Sequence, residues 1–258
     1  MKWLLLTTGN LPEAYVMADF LLRKSQDVAL CNVRGRTRTQ SLAILKRLVK
    51  KRGAIYLADL LIGRKFRKRF LDPSVRPFPE MTEGAVADLK SRCGYFEVED
   101  PHGPEAIGRV ADLRPDYVLF LGAPVIRPEL FTLARRGAIN WHHGLSPRYR
   151  GSDCVLWAMA NDEFDQVGFT IHFVSEVVDG GKIILQRRVP VRKDVGFSEA
   201  VADIARQGLN GFIEVVDRIL DHRELDPKEQ GRGGAHYPPA GWSTIRRADR
   251  NFRNYAGK

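Results

Sequence analysis

"INWHHGLSPRYRG", residues 139–151, runs an apolar lead straight into a polar, turn-forming segment. Asn140 and His142 close the apolar run, and Gly144, Ser146 and Pro147 follow as turn residues. Open α/β sheets carry their chemistry where strands stop, so polar side chains at this position attract attention. An Asn-x-His pair alone is a weak sign, because most such residues cap a turn or satisfy a buried carbonyl. On an extended strand, His142 and His143 point to opposite faces, so only one can face a cleft. Spacing alone leaves open which of the two it is.

The flanks read as alternating strands and helices. Upstream, "WLLLTT" (3–8), "DVALCNV" (27–33), "DYVLFLG" (116–122) and "GAINWHH" (137–143) are apolar runs of strand length. "AYVMADFLLRKS" (14–25), "EGAVADLKSRCG" (83–94) and "EAIGRVADLRP" (105–115) have helical spacing, and "RPELFTLAR" (127–135) is a short helix with proline near its start. Downstream, "SDCVLWAMAND" (152–162) reads as a helix, "VGFTIHFVS" (167–175) and "KIILQRRVPV" (182–191) as strands, and "SEAVADIARQGLNGFIEVVDRILD" (198–221) as a long amphipathic helix. His172 sits in mid-strand and reads as structural. This order predicts an α/β fold with a mainly parallel, doubly wound sheet and an antiparallel edge. Residues 1–222 are expected to form the main domain and 223–258 a basic C-terminal tail, loosely structured from Gly231.

Composition sets bounds. The chain has 258 residues, 44% apolar and 28% charged, which suits an ordinary globular protein. Cys31, Cys93 and Cys154 are far apart with no paired spacing, which argues against a disulfide framework or a zinc site and fits a reducing compartment. The opening "MKWLLLTTGN" is too short an apolar run for a signal peptide and is read as the first strand. No run approaches the ~18 apolar residues of a membrane span. A cytoplasmic location is therefore expected. Net charge is +10, yet residues 34–70 hold thirteen Lys or Arg and a single acid, Asp59, leaving 28 basic and 30 acidic residues elsewhere. So local an excess speaks of a surface or a partner rather than of the fold.

A later loop strengthens the case for Asn140 and His142. Asp179 lies in "EVVDGG" (176–181), and strand, helix, strand, loop is the right length to bring it back beside His142. A carboxylate orienting a histidine, with an amide donor alongside, is an acyl-transfer constellation. These blocks resemble the folate-dependent formyltransferases, a family that includes glycinamide ribonucleotide transformylase, methionyl-tRNA formyltransferase and the sugar N-formyltransferases. The resemblance rests on Asn140, His142, Leu145, Pro147, Tyr149 and Gly151, then His172, Phe173 and Val174, then Asp179 and Gly181. It covers 115–220 well and 1–33 loosely, and it selects His142 over His143.

The resemblance implies a Rossmann-like formyltransferase fold and transfer of a formyl group from 10-formyltetrahydrofolate to a primary amine, with no metal. Asn140 would donate to the tetrahedral oxyanion. His142, kept or made cationic by Asp179, would stabilise the same charge and help protonate the leaving nitrogen. Asp179 would help take the proton from the attacking amine. The pterin would lie against Gly122, Pro124, Val125, Ile126 and Arg127 and against Val177 and Val178. Gly9, Asn10, Tyr149, Arg150 and Gly151 would face the acceptor.

Several features depart from the family pattern. His143-Gly144 replaces the common Pro-Ser after the motif histidine, and "TTGNLPEAY" (7–15) replaces a glycine- and serine-rich phosphate loop. The basic helical insertion 34–82 has no counterpart in compact members, and within it "SLAILKRLVKKRGAIYLADLLIGRKFRKRF" (41–70) has helical spacing with breaks expected at Gly53 and Gly63. This block reads as a solvated hairpin packed on the core, as a helix lying on an anionic membrane, or as a site for phosphate groups. Sparse aromatics and the lack of an RNA-binding module disfavour nucleic acid. The favoured acceptor is a small anionic metabolite, an amino-sugar nucleotide or a natural-product intermediate. Glycinamide ribonucleotide transformylase and formyltetrahydrofolate hydrolase are the alternatives, although the hydrolases carry an N-terminal regulatory domain and here the first strand begins at once. A non-catalytic binding protein recruited to membranes is the reading from outside the enzymes.

Overall fold

The computed structural model describes residues 1–34, 46, 49–72, 74–231 and 233–257. The central sheet is laid down by β1 (Lys2–Thr8), β2 (Asp27–Val33), β3 (Gly94–Val98), β4 (Tyr117–Leu121), β5 (Gly137–His142), β7 (Gly168–Phe173) and β8 (Ile183–Arg188). Its order is β3-β2-β1-β4-β5-β7-β8. The first five strands are parallel, while β7 and β8 run antiparallel at one edge. A separate two-stranded parallel sheet pairs β6 (Tyr149–Gly151) with β9 (Ala235–Tyr237).

β1 has both edges paired, with β2 and β4, and a core cluster on each face, so its residues are apolar throughout the middle. Trp3 and Leu5 join one core cluster and Leu4 and Leu6 the other, as the two-residue period of a strand requires. The first cluster takes in α1 (Pro12–Arg23) and α7 (Phe197–Leu220), and the second takes in α4 (Pro104–Leu113) and α5 (Pro128–Phe131). Helices on both faces make this the doubly wound arrangement read from the sequence.

Four features differ from that reading. The helix of 83–94 stops early: α3 covers Glu83–Arg92, and the chain passes directly into β3, "GYFEV", which has no helical counterpart. Gly63 does not break a helix. It lies inside α2 (Ala54–Phe66), where a Cβ would come 2.6 Å from the Trp242 backbone nitrogen, so the glycine allows two backbones to approach. Gly53 does end the preceding turn, with φ +86°. The helical reading of 41–45 and 47–48 lies outside the described residues.

The fourth difference is the tail. The 231–258 stretch, expected to be loosely structured, carries the fifteen-residue α8 (Trp242–Ala256), whose Ile245, Ala248 and Phe252 are buried. Asn251 donates to the carbonyls of Met159 and Ala160 at 3.0 and 3.1 Å, closing the last turn of α6 (Cys154–Ala160). Phe252 packs on Phe197, and Tyr255 stacks on Phe164. Among the described residues, no helix is long and apolar enough to cross a membrane.

Candidate active site

β5 and β7 set the first two side chains of the site. Their register pairs Asn140 with His172, so both side chains leave the sheet on the same face as neighbours. The Asn140 Nδ2 lies 3.1 Å from His172 Nε2. On its other side the His172 ring places Nδ1 2.8 Å from the Phe173 carbonyl oxygen, which can only accept. Nδ1 therefore carries a hydrogen, and the contact at Nε2 fixes the orientation of the Asn140 amide.

The turn after β5 fixes His142. Its Nε2 lies 2.7 Å from the Tyr149 carbonyl oxygen, so Nε2 is the donor there. This approach needs a glycine at 144: a Cβ at that position would meet His142 Nε2 and the Tyr149 oxygen at 2.7 Å each, and Cys154 Cβ as well. The Gly144 that departs from the family's usual turn is thus what lets the loop close on the histidine. His142 is 5% exposed.

Asp179 folds back over this pair. Its Oδ2 stands 3.5 Å from His142 Nδ1 and accepts the Gly151 N–H at 2.8 Å, while its Oδ1 stands 3.6 Å from His172 Nε2 and 3.4 Å from Asn140 Nδ2. Gln230 holds the loop from behind, donating to the carbonyls of Asp179 and Gly181 at 2.8 and 2.7 Å. Burial pushes the Asp179 carboxyl up, but the His172 contact, the charge of His142 when protonated and the Gly151 N–H outweigh it and hold the group at about 2. Burial lowers His142, with Asp179 pulling the other way. Its neighbour His143 points elsewhere, its ring 4.0 Å from that of Trp141, and burial takes it down to about 4.

The structure thus brings Asn140, His142 and Asp179 together and adds His172, which had been read as structural. The sequence did hold a signal for it: a histidine near the end of the strand that leads directly into the Asp179 loop. Gln230, on a segment that offered no pattern, could not have been picked out.

The remaining expected residues divide. Val125 and Val177 project into solvent from the loops that follow β4 and β7. Ile126 is partly buried beside Val174 against the same core cluster. The N–H groups of Val125 and Ile126 make no backbone hydrogen bond among the described residues. Apolar side chains beside free main-chain donors are features that a planar heterocycle with a polar edge could use.

Gly9 and Asn10 follow β1, both with positive φ, and Asn10 Oδ1 accepts from the hydroxyls of Tyr15 and Tyr95. Tyr149 does not reach toward an acceptor. It is 1% exposed, its hydroxyl donates to Glu163 at 2.6 Å and its ring stacks on Tyr237, because a tyrosine at that strand position faces inward. Arg150 donates to Gln230, and Gly151 contributes its N–H to Asp179.

Residues 33–216 match the family model described as Formyl transferase. The chain belongs to this family. Methionyl-tRNA formyltransferase of Chlorobium chlorochromatii is 32% identical to this member over 133 residues, 52% of this chain and 42% of that protein. The enzyme of the same name from Syntrophomonas wolfei is 32% identical over 135 residues, 52% of this chain and 43% of that one. The matched stretch is thus less than half the length of these curated relatives.

Among solved structures, glycinamide ribonucleotide transformylase 1 from Symbiobacterium toebii superposes with a TM-score of 0.59 at 15% identity, covering 90% of this chain and 94% of that one. The formyltransferase PseJ from Anoxybacillus kamchatkensis, in complex with a UDP-linked 4-formamido sugar and tetrahydrofolate, gives 0.53 at 17% identity and covers 98% and 100%. At these identities the likeness establishes the formyltransferase fold of this family member.

Proposed function

We propose that this formyltransferase family member transfers a formyl group from 10-formyltetrahydrofolate to the primary amine of a small acceptor. The observation that carries the proposal is the convergence of Asn140, His142, His172 and Asp179 beside the turn after β5. The folate, when bound, supplies the formyl carbon. The chain's own residues then do three things.

Asn140 donates toward the negative charge that develops on the formyl oxygen. Its Nδ2 is already aimed by His172, and the 3.4 Å reach to Asp179 is long for a hydrogen bond, so that hydrogen remains available to an oxyanion placed along its fixed direction in the amide plane. His142 is the proton carrier. Its Nε2–H is committed to the Tyr149 carbonyl, so the neutral ring presents the bare Nδ1 to the Asp179 carboxylate. The proton that the amine loses on forming its new C–N bond would convert that contact into a buried ion pair, and passed on to the leaving N10 of the folate it would let the old formyl C–N10 bond break.

Asp179, held near 2, is too weak a base to keep a proton at neutral pH and acts as a fixed negative charge. It stabilises positive charge on His142 and on the amine as the amine attacks.

The acceptor is proposed to be an amino-sugar nucleotide or another small anionic intermediate rather than glycinamide ribonucleotide. The start of α1 supports this. Glu13 occupies the first turn, burial raises its carboxyl, and its Oε2 has no hydrogen-bond partner among the described residues. An acidic side chain in the first turn disfavours a phosphate at this helix N-terminus.

Incubation with 10-formyltetrahydrofolate and a panel of amines tests the proposal, with folate release read by absorbance and product by mass. The panel includes glycinamide ribonucleotide and amino-sugar nucleotides. Amine-dependent release that disappears in Asn140→Ala is the expected result. Release without any amine points to a hydrolase instead, and no release at all overturns formyl transfer.

A further inference from the structure

The connection between β2 and β3 carries most of the exposed apolar surface. Among the described residues seven large hydrophobics are exposed, and five of them are Val49, Ile55, Leu61, Ile62 and Phe66. The other two, Val125 and Val177, belong to the loops of the candidate site. Ile55 is 88% exposed.

This is not a loosely attached helix. One face of α2 is fastened to the body. Tyr56 donates its hydroxyl to the Pro239 carbonyl at 2.9 Å, Asp59 accepts from the N–H and hydroxyl of Ser243, and Leu60 is buried. Just beyond the helix, Arg67 meets Asp153 at 3.1 Å, two residues after the Gly151 whose N–H binds Asp179. Residues 56, 60, 63 and 67 define this face, and at 3.6 residues per turn Ala58, Leu61, Ile62 and Lys65 fall on the opposite arc, with Ile55 at its edge.

The outward arc is apolar along its ridge and cationic at its margins. Lys50, Lys51, Arg52, Arg64, Lys65, Lys68 and Arg69 surround it, and none of them pairs with a carboxylate among the described residues. The aromatics nearby are engaged elsewhere: the Tyr56 hydroxyl is bonded, and Phe66 and Phe70 pack edge-on against Trp242. That leaves no platform for stacking nucleic-acid bases. A convex ridge of aliphatic side chains edged by free cations matches a surface that is apolar below and anionic above.

We propose that α2 and the basic turn before it dock this protein on an anionic lipid surface. Ile55, Leu61 and Ile62 enter the headgroup boundary, and the surrounding cations pair with lipid phosphates. The proposal is independent of formyl transfer, and its test needs no activity.

Flotation of the full chain with vesicles of phosphatidylcholine alone, and of phosphatidylcholine mixed with phosphatidylglycerol, measures binding. Binding is expected only to the mixed vesicles and should weaken as salt rises. An Ile55→Asp/Ile62→Asp variant is expected to bind at least about tenfold more weakly with its circular dichroism unchanged, because both positions face solvent. A Lys50→Glu/Lys51→Glu/Arg52→Glu variant, altered outside α2, should lose binding as well.

Failure to bind the mixed vesicles, or full binding by the aspartate variant, would overturn the proposal. So would tighter binding to mixed-sequence RNA that survives the aspartate substitutions, which would assign the patch to nucleic acid.

Discussion

Asp179 accepts the Gly151 N–H at 2.8 Å, and this one bond joins the loop after β7 to the strand that follows the turn after β5. The carboxylate is thereby held where its second role, facing His142 at 3.5 Å, costs no further ordering. Asp179→Asn keeps an acceptor for Gly151 but removes the charge. The variant is expected to stay folded, to lose about a hundredfold in formyl transfer, and to lower the His142 pKa further, because Asp179 is what opposes burial there. Imidazole titration by NMR reads the last effect separately from activity.

Asn140→Ala removes the amide that His172 aims. One preorganised donor contributes about 3–4 kcal/mol to the barrier, so turnover should fall on the order of a hundredfold or more. His172→Phe leaves Asn140 in place but takes away the ring nitrogen that orients its Nδ2. A smaller fall in kcat, with the folate KM little changed, is expected, and steady-state kinetics distinguishes the two variants.

Burial lowers the His143 pKa from 6.5 to about 4. A base depressed in the folded state binds its proton more readily when unfolded, so its contribution to stability is full above pH 6.5 and is lost as pH falls toward 4. Thermal unfolding followed across this window should show declining stability, and His143→Gln should flatten part of the slope. A second decline, from the depressed Asp179, belongs between about pH 4 and pH 2.

Gly63 tests how α8 is docked. Within an exposed helix Gly→Ala gains about 1 kcal/mol, but here the added methyl would meet the Trp242 backbone nitrogen at 2.6 Å. Overpacking against backbone costs about 1–3 kcal/mol and should win, so Gly63→Ala is expected to be destabilising in chemical denaturation. Asp59→Ala, which removes the acceptor at the start of α8, should cost about 1 kcal/mol.

The long apolar runs were legible because burial on both faces demands them: β1 and β2 keep their polar residues near their ends, and β4 is apolar apart from its tyrosine hydroxyl. β3 was not legible, since an edge strand needs only partial cover and "GYFEV" has no clear period. α8 was hidden by its arginines. Its apolar positions 242, 245, 248 and 252 do recur at helical intervals, but the stripe is narrow and sits among charges that only its docking on α2 and α6 explains.

At the site, residue types and order pointed to Asn140, Asp179 and one histidine of the 142–143 pair, because a strand end followed by a returning loop restricts where a carboxylate can land, and the family resemblance chose His142. Three matters needed the folded chain. The β5–β7 register brought His172 beside Asn140, the closure of Gly144 on His142 committed one ring nitrogen to Tyr149, and Gln230 arrived from far along the chain to hold the Asp179 loop. Each is a contact at fixed distance between segments remote in sequence or in local turn geometry, and side-chain periodicity carries no information about such distances.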